Sequence, residues 1–173
     1  MSVIRGLIVE GKRDKIAYKS FIDKLGYKPN IIQAGGNDNL VNNVESYAEL
    51  LRDHGCRKIV ALKDLDINKL KDIQQKCIGF PSDIKLVVAV KEMESWLLAD
   101  ESALKKQFQK PNFKPYLNPE NIDDPKKELE DLYKRHKKKF ISRIEIPNIV
   151  QKINLNILRK KCPSFQDFEN NLK

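Results

Sequence analysis

Residues 3–14 read Val3-Ile4-Arg5-Gly6-Leu7-Ile8-Val9-Glu10-Gly11-Lys12-Arg13-Asp14, an apolar run that ends in an acidic cluster. Two later segments repeat this arrangement: residues 59–62 lead to Asp64-Leu65-Asp66, and residues 84–90 lead to Glu92 and Glu94. Short β-branched runs that alternate with helix-length segments are typical of buried strands in a parallel sheet. The pattern therefore predicts an α/β fold with a mainly parallel four-stranded sheet flanked by helices.

Periodicity and turn residues give the order of the elements. We predict a helix over 12–26, a short strand at 30–33, one helix closing near Gly55, a third strand entering Asp64, a short helix at 67–77 and a fourth strand ending near Lys91. A proline-punctuated loop at 110–119 then precedes helices at 125–139 and 147–161, with Pro125 and Pro147 in their first turns, and a terminal helix opening at Pro163. We predict an α/β core over 1–100 and a helical, basic extension over 101–173 packed on it.

The acidic residues follow strands, and in a parallel α/β sheet the ligand site lies outside the carboxyl ends of the strands. Carboxylates crowded there are costly unless a cation neutralises them, which predicts a divalent-metal site. Asp64 and Asp66 lie two residues apart, so in extended chain both can face one cation. The alternative is that one of them caps the following helix. Glu10 likewise could serve the site or stabilise the next helix through its dipole.

The third cluster combines acids with apolar residues. Trp96, Leu97 and Leu98 are expected in the core, and Glu94 lies close enough to the strand end to reach the cleft. Asp100 is expected to cap a helix that starts at Glu101.

Positive charge is concentrated in the second part of the chain. Residues 1–100 contain 16 Lys and Arg against 14 Asp and Glu, whereas residues 101–173 contain 17 against 10. The densest run is Lys134-Arg135-His136-Lys137-Lys138-Lys139. A basic surface beside a metal site suits a nucleic-acid backbone, because binding releases counterions. The alternative is a solvated, lysine-rich face.

Composition excludes several other classes. No stretch approaches the roughly 18 consecutive apolar residues of a membrane span, and the N-terminus lacks the layout of a signal peptide. Cys56, Cys77 and Cys162 are scattered, which predicts reduced thiols in a cytoplasmic protein and argues against zinc. No P-loop motif is present, so an ATPase function would need a separate partner protein.

The motifs Glu10-Gly11-x-x-Asp14 after the first strand and Asp64-x-Asp66 after the third resemble the Toprim superfamily of topoisomerases, primases, recombination-repair proteins and overcoming-lysogenization-defect (OLD) nucleases. Two further segments look like short Toprim-like proteins related to the OLD Toprim domain, namely Glu94-Ser95-Trp96-Leu97-Leu98 and Cys162-Pro163-Ser164-Phe165. The resemblance implies a Rossmann-like Toprim core over 1–100.

The resemblance also implies a chemistry: magnesium-dependent phosphodiester cleavage or another nucleotidyl transfer on DNA or RNA, with manganese as the other candidate ion. Asp64, Asp66 and Glu94 would hold the metal, and Glu10 would act as general acid or base. Phosphate contacts are expected from cations beside the cleft and in the basic run: Lys12, Arg13, Lys63, Lys91, Lys134, Arg135, Lys137, Lys138 and Lys139. The alternative function is a non-catalytic nucleic-acid-binding or regulatory module that works with a separate ATPase.

Overall fold

Four parallel strands form the sheet in the computed structural model, which describes residues 4–64, 84–89, 92–111 and 113–173. They are β1 (Arg5–Val9), β2 (Asn30–Gln33), β3 (Lys58–Asp64) and β4 (Ile84–Ala89), in the spatial order β2-β1-β3-β4. Every pairing is parallel, with Val9 opposite both Gln33 and Leu62. The predicted α/β fold with a parallel four-stranded sheet is confirmed.

Helices surround this sheet. Those in the first part of the chain are α1 (Lys12–Lys24), α2 (Asn37–Asn42) and α3 (Val44–Asp53). After β4 come α4 (Glu94–Leu98), α5 (Glu101–Phe108), a 3₁₀ turn (Pro119–Asn121), α6 (Pro125–Arg135), α7 (Ser142–Lys152), α8 (Leu155–Lys161) and α9 (Pro163–Leu172). The helix predicted at 67–77 falls outside the described residues.

Alternation along the strands divides the core between the two faces of the sheet. Ile8 belongs to a cluster with Leu40, Ala48 and Leu51 from α2 and α3. Leu7 and Val9, on either side of Ile8, belong to the larger cluster that includes α1 and the C-terminal helices. Gly6 permits the close approach of α3, since a Cβ there would lie 2.8 Å from Cδ1 of Leu51.

Three predicted helices differ from the observed ones. The single helix before Gly55 is two helices, α2 and α3, which meet at the non-helical backbone of Asn43 (φ −120°, ψ 17°). The helix predicted at 125–139 ends at Arg135, because Lys137 adopts a left-handed conformation (φ 55°). The helix predicted at 147–161 is also two helices.

The break between α7 and α8 does not lie at Pro147, where a helix was predicted to begin because proline favours the first turn. Pro147 is inside α7 rather than in a first turn, and burial of Ile146, Ile149 and Val150 holds this helix together despite the missing N–H group. The chain then turns at Asn154, whose side chain accepts a hydrogen bond from the N–H of Asn156. Tertiary packing has overridden the local signal here.

Trp96 lies at the centre of the larger cluster and is fully buried, as predicted, together with Leu97 and Leu98. Its ring meets Tyr18 and Phe21 of α1 edge-on, with centroids 5.7 and 5.5 Å away. Phe165 and Phe168 of α9 pack against it at 5.2 and 5.4 Å. The cluster thus includes side chains from both sides of residue 100, and the division of the chain into two units there stays a prediction.

Polar contacts extend from Trp96 into the C-terminal segment. The indole N–H donates to Oγ of Ser164 at 2.8 Å, and that hydroxyl donates to Oε1 of Glu120. Each of these three polar groups is buried and has a partner, as burial requires. Within the described ranges, no helix is long and apolar enough to cross a membrane.

Asp100 caps α5 as predicted and also anchors a distant segment. Its Oδ1 accepts from the N–H groups of Ser102 (2.9 Å) and Ala103 (3.3 Å), while Oδ2 accepts from the N–H of Asn154 at 2.7 Å. The side chain is fully buried. It therefore joins the start of α5 to the break between α7 and α8.

Replacing Asp100 with alanine is expected to lower the free energy of unfolding by about 2–4 kcal/mol, because it removes a helix cap, leaves the buried N–H of Ala103 unpaired and breaks the contact with Asn154. Asp124→Ala is the matched control. Asp124 caps α6 through one contact, to the N–H of Lys127, at an exposed position, so its loss should cost about 1 kcal/mol. Urea denaturation measures both. Equal costs would show that the Asn154 contact contributes nothing.

Candidate functional site

The carboxyl edge of the sheet brings together three of the predicted acidic segments. Glu10 directly follows β1, Asp64 is the last residue of β3, and Glu94 begins α4 after β4. Asp64 stands opposite Ala89 in the β3–β4 pairing. The N–H groups of Gly35 and Gly36, just beyond β2, both donate to the carbonyl oxygen of Glu10 at 2.9 Å. The chain after β2 is thereby tied to the same edge.

Glu10 is paired with a buried lysine. Lys63, on β3, is 2 % exposed, and its Nζ lies 3.6 Å from Oε1 of Glu10. A buried ammonium group is tolerated only when it is paired, so Glu10 is one of the groups that stabilise Lys63 at the end of the sheet. The predicted roles, proton transfer for Glu10 and phosphate contact for Lys63, stay predictions.

Asp14 provides the side-chain contact at the start of α1. Its Oδ2 accepts the N–H of Gly11, the N-cap residue, at 2.8 Å. Burial raises the pKa of Asp14, while the hydrogen bond from Gly11 and the charge of Arg13 act in the opposite direction. The second acid of the Glu10-Gly11-x-x-Asp14 motif therefore has a structural contact of its own.

Glu94 forms a buried ion pair with Arg13. Nη2 of Arg13 lies 2.6 Å from Oε1 of Glu94, whose side chain is 4 % exposed. Nη1 of Arg13 lies 3.7 Å from Oε1 of Glu130 on α6, and its guanidinium group lies 5.3 Å from the ring centroid of Phe140. Burial raises the pKa of Glu94, and Arg13 partly offsets this. As a metal ligand, Glu94 would have to exchange Arg13 for the ion.

The other residues predicted for the sheet edge are Lys12, Asp64, Asp66 and Lys91. Lys12 is exposed at the first position of α1. Asp66 and Lys91 lie outside the described residues. Asp64 lies at the edge through its place on β3. Among the residues that the structure describes, no group of three or more His, Cys, Asp and Glu side chains is arranged to hold a metal ion.

The basic run lies at and beyond the end of α6, and its lysines are exposed, as is Arg135. Lys134 pairs with Asp131 at 3.1 Å and Arg135 with Glu128 at 2.6 Å. Nζ of Lys138 donates to the carbonyl oxygen of Gln107 at 3.0 Å. These contacts orient parts of the run while its charge remains at the surface.

The link between α6 and the sheet edge could not be predicted from the sequence. Oε2 of Glu92 accepts the N–H of Lys126, at the start of α6, at 3.0 Å, and Glu130 approaches Arg13 from the same helix. These partners are separated by 34 or more residues, and no local pattern marks them. The sequence showed only that two acidic residues, Glu92 and Glu94, precede Trp96.

Comparison with known proteins gives a family and a fold. The sequence matches the family model described as Domain of unknown function (DUF4276) over residues 42–173. The chain belongs to this family. The match includes Asp64, Asp66, Glu94 and the basic run, whereas Glu10 precedes it. Among curated proteins, no sequence matches.

A solved structure with a similar fold is the C-terminal region of the Burkholderia pseudomallei OLD protein. The TM-score is 0.55 at 12% sequence identity, and the likeness covers 99% of each chain. At this identity the comparison establishes that the DUF4276 chain shares the fold. The predicted relation to OLD proteins is thus confirmed at the level of architecture.

The raised pKa of Glu94 gives an expected pH dependence. Above the ordinary value of 4.5, the unfolded chain loses this proton while the folded protein still holds it. The free energy of unfolding should therefore fall as pH rises from 4.5 through the raised pKa. Glu94→Gln should reduce this pH dependence, measured by urea denaturation at a series of pH values. The pH dependence that remains in the variant would include the contribution of Asp14, whose pKa is also raised.

Glu130→Gln is the control for that experiment, because Glu130 also approaches Arg13 but its side chain is 39 % exposed. It should change the slope much less than Glu94→Gln. Parallel profiles for the parent and Glu94→Gln would contradict the assignment of a buried, proton-holding Glu94.

Proposed function

We propose that this DUF4276 protein is a Toprim-type enzyme that carries out magnesium-dependent phosphodiester cleavage, or a related nucleotidyl transfer, on nucleic acid. The observation that carries the proposal is the meeting of Glu10, Lys63 and the end of β3 at the carboxyl edge of a parallel sheet. The order of Glu10, Asp64 and Asp66 along the chain, and the fold shared with the OLD C-terminal region, support it.

The donor set fits a hard divalent cation. Asp64 and Asp66, with Glu94 as a third group, offer only carboxylate oxygens, the ligands that Mg²⁺ prefers, and manganese accepts the same set. When bound, such an ion polarises a phosphate and lowers the pKa of a coordinated water. Glu10 then serves as the proton-transfer group beside it. Lys63 holds the Glu10 carboxylate in place.

Cations of the chain would bind the substrate. Lys12 and Arg13 lie in the first turn of α1, and Lys91, which lies outside the described residues, is a further candidate. The basic run from Lys134 to Lys139 lies at and beyond the end of α6, whose first turn contacts Glu92. A polyanion that spans these positions gains affinity from each neutralised phosphate through counterion release. Both DNA and RNA offer that backbone.

One observation favours the alternative, a non-catalytic nucleic-acid-binding module that works with a separate ATPase. Glu10 and Glu94 each lie beside a cation of the chain itself, Lys63 and Arg13. These two acids are therefore already partly neutralised without a metal ion. A module that retained the fold for binding would keep such ion pairs.

Cleavage assays separate the two functions. Purified protein is incubated with single- and double-stranded DNA and RNA in magnesium or manganese, and the parent is compared with Glu10→Gln. The enzyme function predicts metal-dependent cleavage by the parent and a loss of about 10²–10⁴-fold in rate for the variant, because glutamine cannot exchange a proton at neutral pH.

Glu49→Gln is the matched control, since this exposed glutamate on α3 lies away from the strand ends and should leave the rate unchanged. Binding of nucleic acid without cleavage of any of the four substrates would favour the module. Full activity of Glu10→Gln would remove Glu10 from the proposed chemistry.

A further inference from the structure

A cavity of about 430 Å³ lies between residues 113–116 and one side of α6, apart from the acidic edge. Its walls include Phe113, Tyr116, Glu128, Arg135 and His136. The volume falls in the range of small-molecule sites, which combine aromatic walls with a few polar groups. Neither the predicted metal site nor the proposed chemistry uses this cavity.

Aromatic rings of the cavity lie nearly parallel. The rings of Phe113 and His136 are 17° apart in plane, with centroids separated by 6.1 Å. The ring of Phe108 stacks on that of His136 at 4.4 Å and 25°, and it also lies nearly parallel to that of Phe113, at 6.1 Å and 9°. Phe113 and His136 are both only half-buried, so the two rings remain accessible. Such rings are platforms on which a planar base can stack.

The polar wall is an ordered set of three side chains. Oε1 of Glu128 accepts hydrogen bonds from Oη of Tyr116 at 2.5 Å and from Nη2 of Arg135 at 2.6 Å. Both contacts use Oε1, so Oε2 is the atom with which this carboxylate can accept from a ligand N–H group. Burial and the neighbouring carboxylate raise the pKa of Tyr116, which keeps its phenol protonated as a donor.

Cationic side chains also line the cavity. Lys114 and Arg135 are both lining residues and exposed, and the exposed Lys134, Lys137 and Lys139 are close to Arg135 in the sequence. A ligand with a planar ring and an attached phosphate matches this combination of stacking faces, hydrogen-bonding groups and cations.

We propose that the cavity is a nucleobase pocket, which receives an unpaired base of single-stranded nucleic acid. The inference rests on the proposed function and narrows its substrate class, because a base paired in a duplex cannot offer its face to the pocket. Helix α6 joins the two sites: its first turn contacts Glu92, and Arg135, nine residues after Lys126, lies at the pocket about 14 Å further along the helix.

A base analogue tests stacking directly in the unmodified protein. Single-stranded DNA and RNA containing 2-aminopurine, and a duplex of the same sequence, are titrated with the parent chain without added metal. The pocket predicts quenching of 2-aminopurine fluorescence in at least one single strand, which also identifies the preferred sugar, and no comparable change in the duplex.

Phe113→Leu should lower affinity for the single strand by about 5- to 100-fold, which corresponds to the binding free energy of one stacked base. Affinity for the duplex should stay unchanged. Phe113→Tyr keeps the ring and should restore binding. Lys137→Gln with Lys139→Gln is the contrasting variant, because loss of phosphate contacts should weaken single-strand and duplex binding alike and reduce the salt dependence.

The possible failures are distinguishable. Tight binding of single strands without quenching, or equal effects of Phe113→Leu on single strands and duplex, would overturn the pocket while leaving the proposed function in place. Absence of any nucleic-acid binding by the parent would overturn both. The quenching result uses the parent chain and so does not depend on how the variants fold.

Discussion

Burial of Trp96 determines how α1, α4 and α9 pack together. Its ring packs against aromatic side chains of α1 and α9, and its N–H donates to Ser164, which joins α9 to α4. Because α4 is only five residues long, fixing Trp96 also fixes Glu94 two positions earlier, beneath α1. Arg13 of α1 then lies within reach of Glu94 and forms an ion pair with it.

Several charged groups in the described part of the sheet edge are paired within the chain. Lys63 faces Glu10, and Arg13 lies between Glu94 and Glu130. Removing one partner of a buried pair leaves an uncompensated charge, so each arrangement is strongly determined. We propose that a divalent metal ion neutralises the carboxylates of Asp64 and Asp66, which are not members of these pairs. Such an ion would also interact directly with a phosphate group.

The strands, their parallel direction and the burial of Trp96 could be predicted, because apolar runs and their spacing along the sequence indicate which residues are buried. Asp100 was also predictable, since a cap depends on residues that follow it at once. The partners of Glu10, Glu94 and Glu92 could not be, because Lys63, Arg13 and Lys126 are distant in sequence. The predicted helix ends near Asn43, Lys137 and Pro147 were wrong, because a backbone conformation or tertiary packing outweighed the local sequence preference there. The predicted roles of Asp66 in metal binding and of Lys91 in phosphate contact stay predictions.

We propose that the carboxyl edge of this sheet binds a divalent metal ion through Asp64 and Asp66. Calorimetric titration of magnesium and manganese into the parent chain and into the double variant Asp64→Asn, Asp66→Asn tests it most directly. Asp23→Asn with Asp53→Asn, which removes two exposed acids from α1 and α3, controls for net charge. We predict binding by the parent and by the control, and its loss in the Asp64, Asp66 variant. Identical titrations for all three proteins would show that Asp64 and Asp66 do not hold the ion.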